Sequence, residues 1–190
     1  MLSTTDAIVL SLQPHSDKAH VLHAYTRAGG RVNYKVYGLG RKNASGKYSP
    51  LSIVQLTTDE HSIRTAQLSF VPTTIVSDPY KRTIALFLSE VLYHVLRHPM
   101  QDEEMYDFIV QAIRELDTTD IPQNFHLQFL VNFAAKLGFA VDETKTSLCI
   151  TPKTRTERQE ALQALCSYFE EHVDTWKSPR SLDVLMEVFD

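Results

Sequence analysis

Cysteine is almost missing from this chain. Its 190 residues hold two, Cys149 and Cys166, with no C-x-x-C spacing, which excludes a disulfide scaffold. Long apolar runs are missing as well. Stretches such as TIALFL, Thr83 to Leu88, fall far short of the ~20 residues a bilayer-crossing helix needs. The opening MLSTTDAIVLSL carries Asp6 where a secretory signal would carry cations, and it shows no small-residue cleavage site. With 43% hydrophobic and 22% charged residues, the composition excludes intrinsic disorder and permits an ordinary core. Together these absences predict a soluble, cytoplasmic protein.

Catalytic and phosphate-cradling patterns are equally scarce. YGLGRK contains G-x-G without the rest of a dinucleotide fingerprint, and no G-x-x-x-x-G-K-[ST] occurs. No histidine sits in H-E-x-x-H or H-x-E spacing. His20 and His23 are an odd number apart on a strand and point to opposite faces. His94 and His98 have i,i+4 spacing on an expected helix but no Cys or Asp beside them, so they read as a surface helix end. Asp102, Glu103 and Glu104, consecutive at an expected helix start, read as capping and dipole partners rather than a metal site. Cys149 and Cys166, in apolar surroundings, read as small buried hydrophobes. The chain is therefore expected not to be an enzyme.

What is present falls into two regimes. Up to about Ser77 the pattern has period two. AIVLSL (7–12), HVLHAYT (20–26), RVNYKVYG (31–38), LSIVQLTT (51–58) and SIRTAQLSFV (62–71) are rich in strand-forming residues, with turn signals between them. Five short strands with one long connection between the third and fourth suit a small closed barrel, of the oligonucleotide-binding (OB) or SH3-like kind. From Asp78 the period becomes 3.6. Helices are expected from Pro79 to about Pro99, over 102–116, 123–137 and 156–172, and from Pro179 to Phe189. Ser77 or Asp78, Thr154 or Thr156, and Ser178 stand as caps, with Gly138 as a stop. The fold class is α+β: a five-stranded barrel over 1–77, then an all-helical domain over 78–190.

Charge follows the same division. Residues 1–50 hold seven Lys/Arg against two acids, although the whole chain has a net charge of −4. The stretch GGRVNYKVYGLGRKNASGKYSP, 29–50, concentrates five of those cations, three tyrosines and five of the six glycines, with no acid. Strand alternation puts Arg31, Asn33, Lys35 and Tyr37 on one face and Val32, Tyr34 and Val36 toward the core. The loop that follows adds Arg41, Lys42, Lys47 and Tyr48. Cations neutralise phosphates and release counterions, and aromatic faces stack bases without strong sequence preference. Arg31, Lys35, Arg41, Lys42 and Lys47 are thus candidate phosphate contacts, with Tyr37 and Tyr48 as candidate stacking partners. The competing reading is a solvated strand and turn.

The order of the pieces resembles the RecO family of bacterial recombination mediators. The likeness runs through TDAIVL, YTRAGGRVNYKVYGLGRK, SDPYKRTIALFLSEVLYHVL, FLVNFAAKLGF and the closing KSPRSLDVLMEVF. The resemblance implies an OB-fold barrel followed by a helical domain, and a non-enzymatic role in DNA repair and recombination. It further implies binding of single- and double-stranded DNA, annealing of complementary strands, and contact with the C-terminal tail of single-stranded DNA-binding protein. With RecR, such a protein helps load RecA, and it works at the nucleoid. One departure concerns metal. Many RecO proteins carry a four-cysteine zinc module after L-G-F, whereas GFAVDETKTSLCITPKTRTER offers only Cys149 in a shorter segment. Neither zinc nor any other cofactor is expected. A partner's acidic, aromatic-ended tail needs an apolar groove with a cation beside it, and Lys81, Arg82 and Arg97 are the candidate cations. The alternative is a protein-interaction adaptor whose barrel does not touch DNA; a hydrolase with scattered acids is a remoter rival.

Overall fold

The first strand determines how the amino-terminal half closes. In the computed structural model, which describes residues 2–39, 44–142 and 151–188, β1 runs over Leu2–Ser16 and pairs on both sides. Its first half, Leu2 to Ile8, is antiparallel to β4 (Ile53–Asp59), and Ala7 to Ser16 are antiparallel to β2 (Ala19–Thr26). Register shifts between Val9 and Ser11, and between Pro14 and Ser16, mark bulges of the kind that let a long strand bend and twist. β3 (Gly30–Tyr37) pairs antiparallel with β2, and β5 (Ser62–Phe70) with β4. A short parallel contact at Lys35 and Ser62 closes the ring in the order β1-β2-β3-β5-β4. This is the OB-fold barrel. Its core holds Ala7, Val9, Leu22, Ala24, Tyr34, Val36, Val54, Leu56 and Ala66, the inward set that period-two alternation selects on the strands, and Tyr48 from the connection before β4.

Seven helices are described: α1 (Ala44–Lys47), α2 (Thr74–Ser77), α3 (Pro79–Val95), α4 (Glu103–Thr118), α5 (Phe125–Lys136), α6 (Arg155–His172) and α7 (Leu182–Val188). Their ends have local causes. Asp78 Oδ1 accepts from the amides of Tyr80 and Lys81 and starts α3 at Pro79. Asp102 Oδ1 takes the Met105 amide at the head of α4. Thr154 and Glu157 form a reciprocal capping box on α6. Gly138, at φ +91°, closes α5 by donating to Ala135, with Phe139 donating to Ala134. Two helix ends differ from expectation. α3 stops at Val95, so His94 and His98 do not share a helix. α7 starts at Leu182 rather than Pro179, because the Ser181 amide and hydroxyl both bond Glu90 Oε2, which holds the preceding turn.

The chain forms two compact units, Met1–Thr73 with Leu96–Arg114, and Thr74–Val95 with Glu115–Asp190. A division between strands and helices near residue 77 therefore holds only in part, because most of α4 belongs with the barrel. In the first unit the covering segment is fixed by close backbone contact. Gly30 adopts φ +62°, its Cα lies so near the Met100 carbonyl that a Cβ would overlap it, and the Arg31 amide donates to His98 O at 3.3 Å. Arg27 pairs with Asp107 and Glu103 of α4, and its guanidinium lies 4.8 Å from the centre of the Tyr106 ring. In the second unit Phe87, Phe133 and Phe169 are fully buried, with Phe133 stacked between Phe129 and Phe169. Among the described residues no helix is long and apolar enough to cross a membrane.

Candidate nucleic-acid interface

The outer surface of the β2–β3 ribbon is where OB folds generally meet oligonucleotides, together with the β1–β2 and β4–β5 turns. On β3, burial alternates as the sequence predicts: Asn33, Lys35 and Tyr37 are exposed, while Tyr34 and Val36 are buried. Antiparallel register places Ala19 beside Tyr37, Val21 beside Lys35, His23 beside Asn33 and Tyr25 beside Arg31. β1 continues this surface with Ser11 opposite His23 and Gln13 opposite Val21. The β4–β5 turn closes one side, since the Lys35 amide donates to His61 O at 2.6 Å. Lys18 is exposed in the β1–β2 turn.

This surface is half covered and half open. At the Arg31 end, the 96–114 segment buries Tyr25 to 3% exposure, and burial with the charge of Asp102 pushes its hydroxyl up to about 12. Arg31 is half-buried there, with Nη1 3.4 Å from Leu96 O, so it helps hold the covering segment instead of standing beside Lys35 as a solvated cation. At the other end Lys35 is solvent-exposed and the Tyr37 ring is 59% exposed. Between them, Asn33 Oδ1 lies 2.7 Å from His23 Nδ1. Burial depresses the His23 pKa, the Asn33 hydrogen bond opposes that, and Arg31 reinforces it.

The unit as a whole is less basic than its first fifty residues, because α4 brings acids with it. Its ten Lys/Arg face eight Asp/Glu. The α4 acids gather at the covered end, where Asp102 caps the helix and Glu103 and Asp107 hold Arg27. The open end keeps its cations.

The remaining expected contacts separate. Lys47 is exposed at the end of α1, which packs beside β5, the strand next to β3. Tyr48 is corrected. Its ring is only 8% exposed and belongs to the barrel core with Tyr34 and Val36, so it is not offered for stacking. Burial raises its hydroxyl pKa. Arg41 and Lys42 lie outside the described residues. Lys18 joins the candidate contacts; its sequence signal is the S-D-K turn between the first two strands.

The expected partner cations do not form one site. Lys81 is corrected outright: it is 4% exposed, and its Nζ donates to Thr74 Oγ1 at 2.6 Å and Asp117 O at 2.9 Å. Asp117 in turn accepts the Thr74 and Ile75 amides, which caps α2. Arg82 is exposed and donates to Val76 O at 2.5 Å, whereas Arg97 belongs to the other unit. A small cavity, of about one water's volume, lies between His126 of α5, Arg155, Arg158, Gln159 and Leu162 of α6, and Leu185 and Met186 of α7. Arg155 and Gln159 donate to Met186 O at 3.4 and 3.0 Å, and Arg158 to Lys153 O at 3.4 Å. Burial, then the nearby Arg158 charge, pushes the His126 pKa down to about 3. Cys166 is buried, and that burial with Glu170 nearby raises its thiol to about 12, in keeping with an inert hydrophobe. Cys149 lies outside the described residues.

Known sequences agree with this architecture. The family model described as "Recombination protein O C terminal" matches residues 76–157. A protein of Porphyromonas gingivalis named DNA repair protein RecO is 36% identical over 154 residues, covering 75% of this chain and 63% of that relative. Relatives with the same printed name align end to end. The Bacteroides fragilis protein is 29% identical over 243 positions with full coverage of both, and that of Flavobacterium johnsoniae is 28% identical over 232 positions, covering 97% of this chain and 98% of the relative. The 243-position alignment spans all 190 residues here, so about fifty of its positions have no counterpart in this chain. Barrel, helical unit and matching relatives converge: what this chain is similar to, along its whole length, is the set of proteins named DNA repair protein RecO.

Proposed function

We propose that this chain is a DNA-repair and recombination mediator with no catalytic activity of its own. It binds single- and double-stranded DNA through the open end of the β2–β3 surface and anneals complementary strands. With RecR, it helps load RecA onto DNA covered by single-stranded DNA-binding protein. The observation that carries this reading is the exposed Lys35–Tyr37 edge of an OB barrel in a chain similar to proteins named DNA repair protein RecO. Lys18, Lys35 and Lys47 would neutralise phosphates, with Arg41 and Lys42 from the loop, and Tyr37 would stack a base.

The test is binding of a labelled single-stranded oligonucleotide at two salt concentrations, followed by an annealing assay on bare and protein-coated strands. Each phosphate contact adds about 0.7 to the slope of log K against log salt for single strands. Charge reversal at Arg41 and Lys42 together, or at Lys35, should weaken binding and flatten that slope. Salt-independent binding, or none, would favour the adaptor reading.

A further inference from the structure

The proposed DNA surface carries a histidine at its centre that the reading above does not use. His23 projects outward from β2, in register with Asn33 on β3 and Ser11 on β1. The charged neighbour acting on it is Arg31, and Lys35 lies two residues along β3 from its partner Asn33. From β1 the neighbours are Ser11 and Gln13, both uncharged, and on β2 itself Val21 and Tyr25 share its face. Among the described residues, burial, Asn33 and Arg31 are the causes that shift its titration.

The hydrogen bond to Asn33 has a definite chemical meaning. With Asn33 Oδ1 as acceptor at 2.7 Å, the imidazole proton resides on Nδ1, and the other ring nitrogen, Nε2, is where a further proton adds. Adding that proton does not break the Asn33 bond, because both nitrogens of the imidazolium are donors. Protonation therefore changes charge without changing side-chain geometry. In the free protein, burial and Arg31 oppose the charged form. A phosphate brought to this surface reverses the balance, since an opposite charge within a few ångströms favours the cation.

We propose that His23, held by Asn33, is a proton-linked contact for a nucleic-acid phosphate: binding at the β2–β3 surface takes up a proton there, so affinity for single-stranded DNA rises as pH falls. This rests on the DNA-binding reading of the same surface. By linkage, whatever favours bound phosphate favours the protonated ring, and the converse holds equally.

The test uses the full chain and a labelled oligothymidylate, with affinity measured at constant ionic strength between pH 8 and pH 5.5. Wild type should tighten severalfold over that range, and its salt slope should steepen by about 0.7 as one more phosphate contact becomes ionic. His23→Gln, which keeps a polar side chain beside Asn33 but cannot be charged, should lose most of both changes, each read as a ratio to the same protein's binding at pH 8. In a parallel NMR titration, the apparent pKa of His23 should rise when oligonucleotide is added. If His23→Gln keeps the full pH dependence, or the His23 pKa does not rise on binding, the proposal is overturned even though DNA binding stands. If wild type binds no oligonucleotide at any pH, the parent reading fails and takes this one with it.

Discussion

Two tyrosines eleven residues apart, Tyr37 and Tyr48, look equally suited to stacking on a base in the sequence, and the structure separates them completely. Tyr37 is 59% exposed on the open end of β3, and Tyr48 is 8% exposed inside the barrel. Replacing Tyr37 by alanine removes no core contact, so stability should change by less than about 0.5 kcal/mol, as for ordinary surface positions. Loss of a stacked base costs about 1–3 kcal/mol, a five- to 150-fold weaker Kd. Replacing Tyr48 by alanine empties part of the barrel core, and large aromatic truncations cost about 3–5 kcal/mol. For a unit near a hundred residues, that lowers Tm by more than ten degrees at about 4–8 °C per kcal/mol. The assay is thermal unfolding followed by circular dichroism, paired with fluorescence anisotropy on a labelled single strand well below the melting range. A Tyr37→Ala protein that binds as tightly as wild type would refute the stacking assignment. A Tyr48→Ala protein with unchanged Tm and weakened binding would refute the burial argument.

Other expectations concern the supports of that surface and the helical unit. Lys35→Glu should weaken single-strand binding and lower the salt slope by about 0.7 with Tm unchanged, read by anisotropy across a salt series. Gly30→Ala places a Cβ against the Met100 carbonyl at a positive φ, a backbone region that itself costs about 1–2 kcal/mol. It should make the 96–100 segment sensitive to limited proteolysis. Lys81→Met leaves Thr74 and the Asp117 carbonyl without their buried donor, and Asp117→Ala uncaps α2. Each should cost about 3 kcal/mol in denaturant titrations, with oligonucleotide binding retained. His126, buried and depressed to about 3 from an ordinary 6.5, is neutral when folded and takes a proton on unfolding. Its contribution is complete above pH 6.5 and is lost as pH falls toward 3, at about 1.4 kcal/mol per pH unit. Stability should drop by about 2 kcal/mol between pH 6.5 and 5, and His126→Gln should flatten that part of the profile.

The strands, the helical register and the exposed edge of β3 were legible because each follows from a local period. RVNYKVY alternates without a break, and from Asn33 to Tyr37 its burial alternates with it. Tyr48 was not legible, because a turn containing Gly46, Ser49 and Pro50 has no period from which inward direction can be read. Lys81 left a sign that its charge obscured. It stands three, four and seven residues before Ile84, Ala85 and Leu88, on the buried stripe of α3, where a long stem reaching polar oxygens is the only tolerable cation. Tyr25 shows the third kind of miss. Alternation places it correctly on the barrel's outside, but its burial comes from a segment some seventy residues later, which no local pattern reveals.

The backbone passes from one unit to the other three times, after Thr73, Val95 and Arg114, and the last passage falls inside an unbroken α4. No single cleavage can therefore release an intact barrel. A fragment ended at Ser77 would leave Tyr25 and Gly30 bare and Arg27 without its carboxylates, and its failure to grip DNA would say nothing about the barrel's competence. The same threading restricts inheritance: gene fusion cannot donate the five strands to another protein without carrying the helical half along.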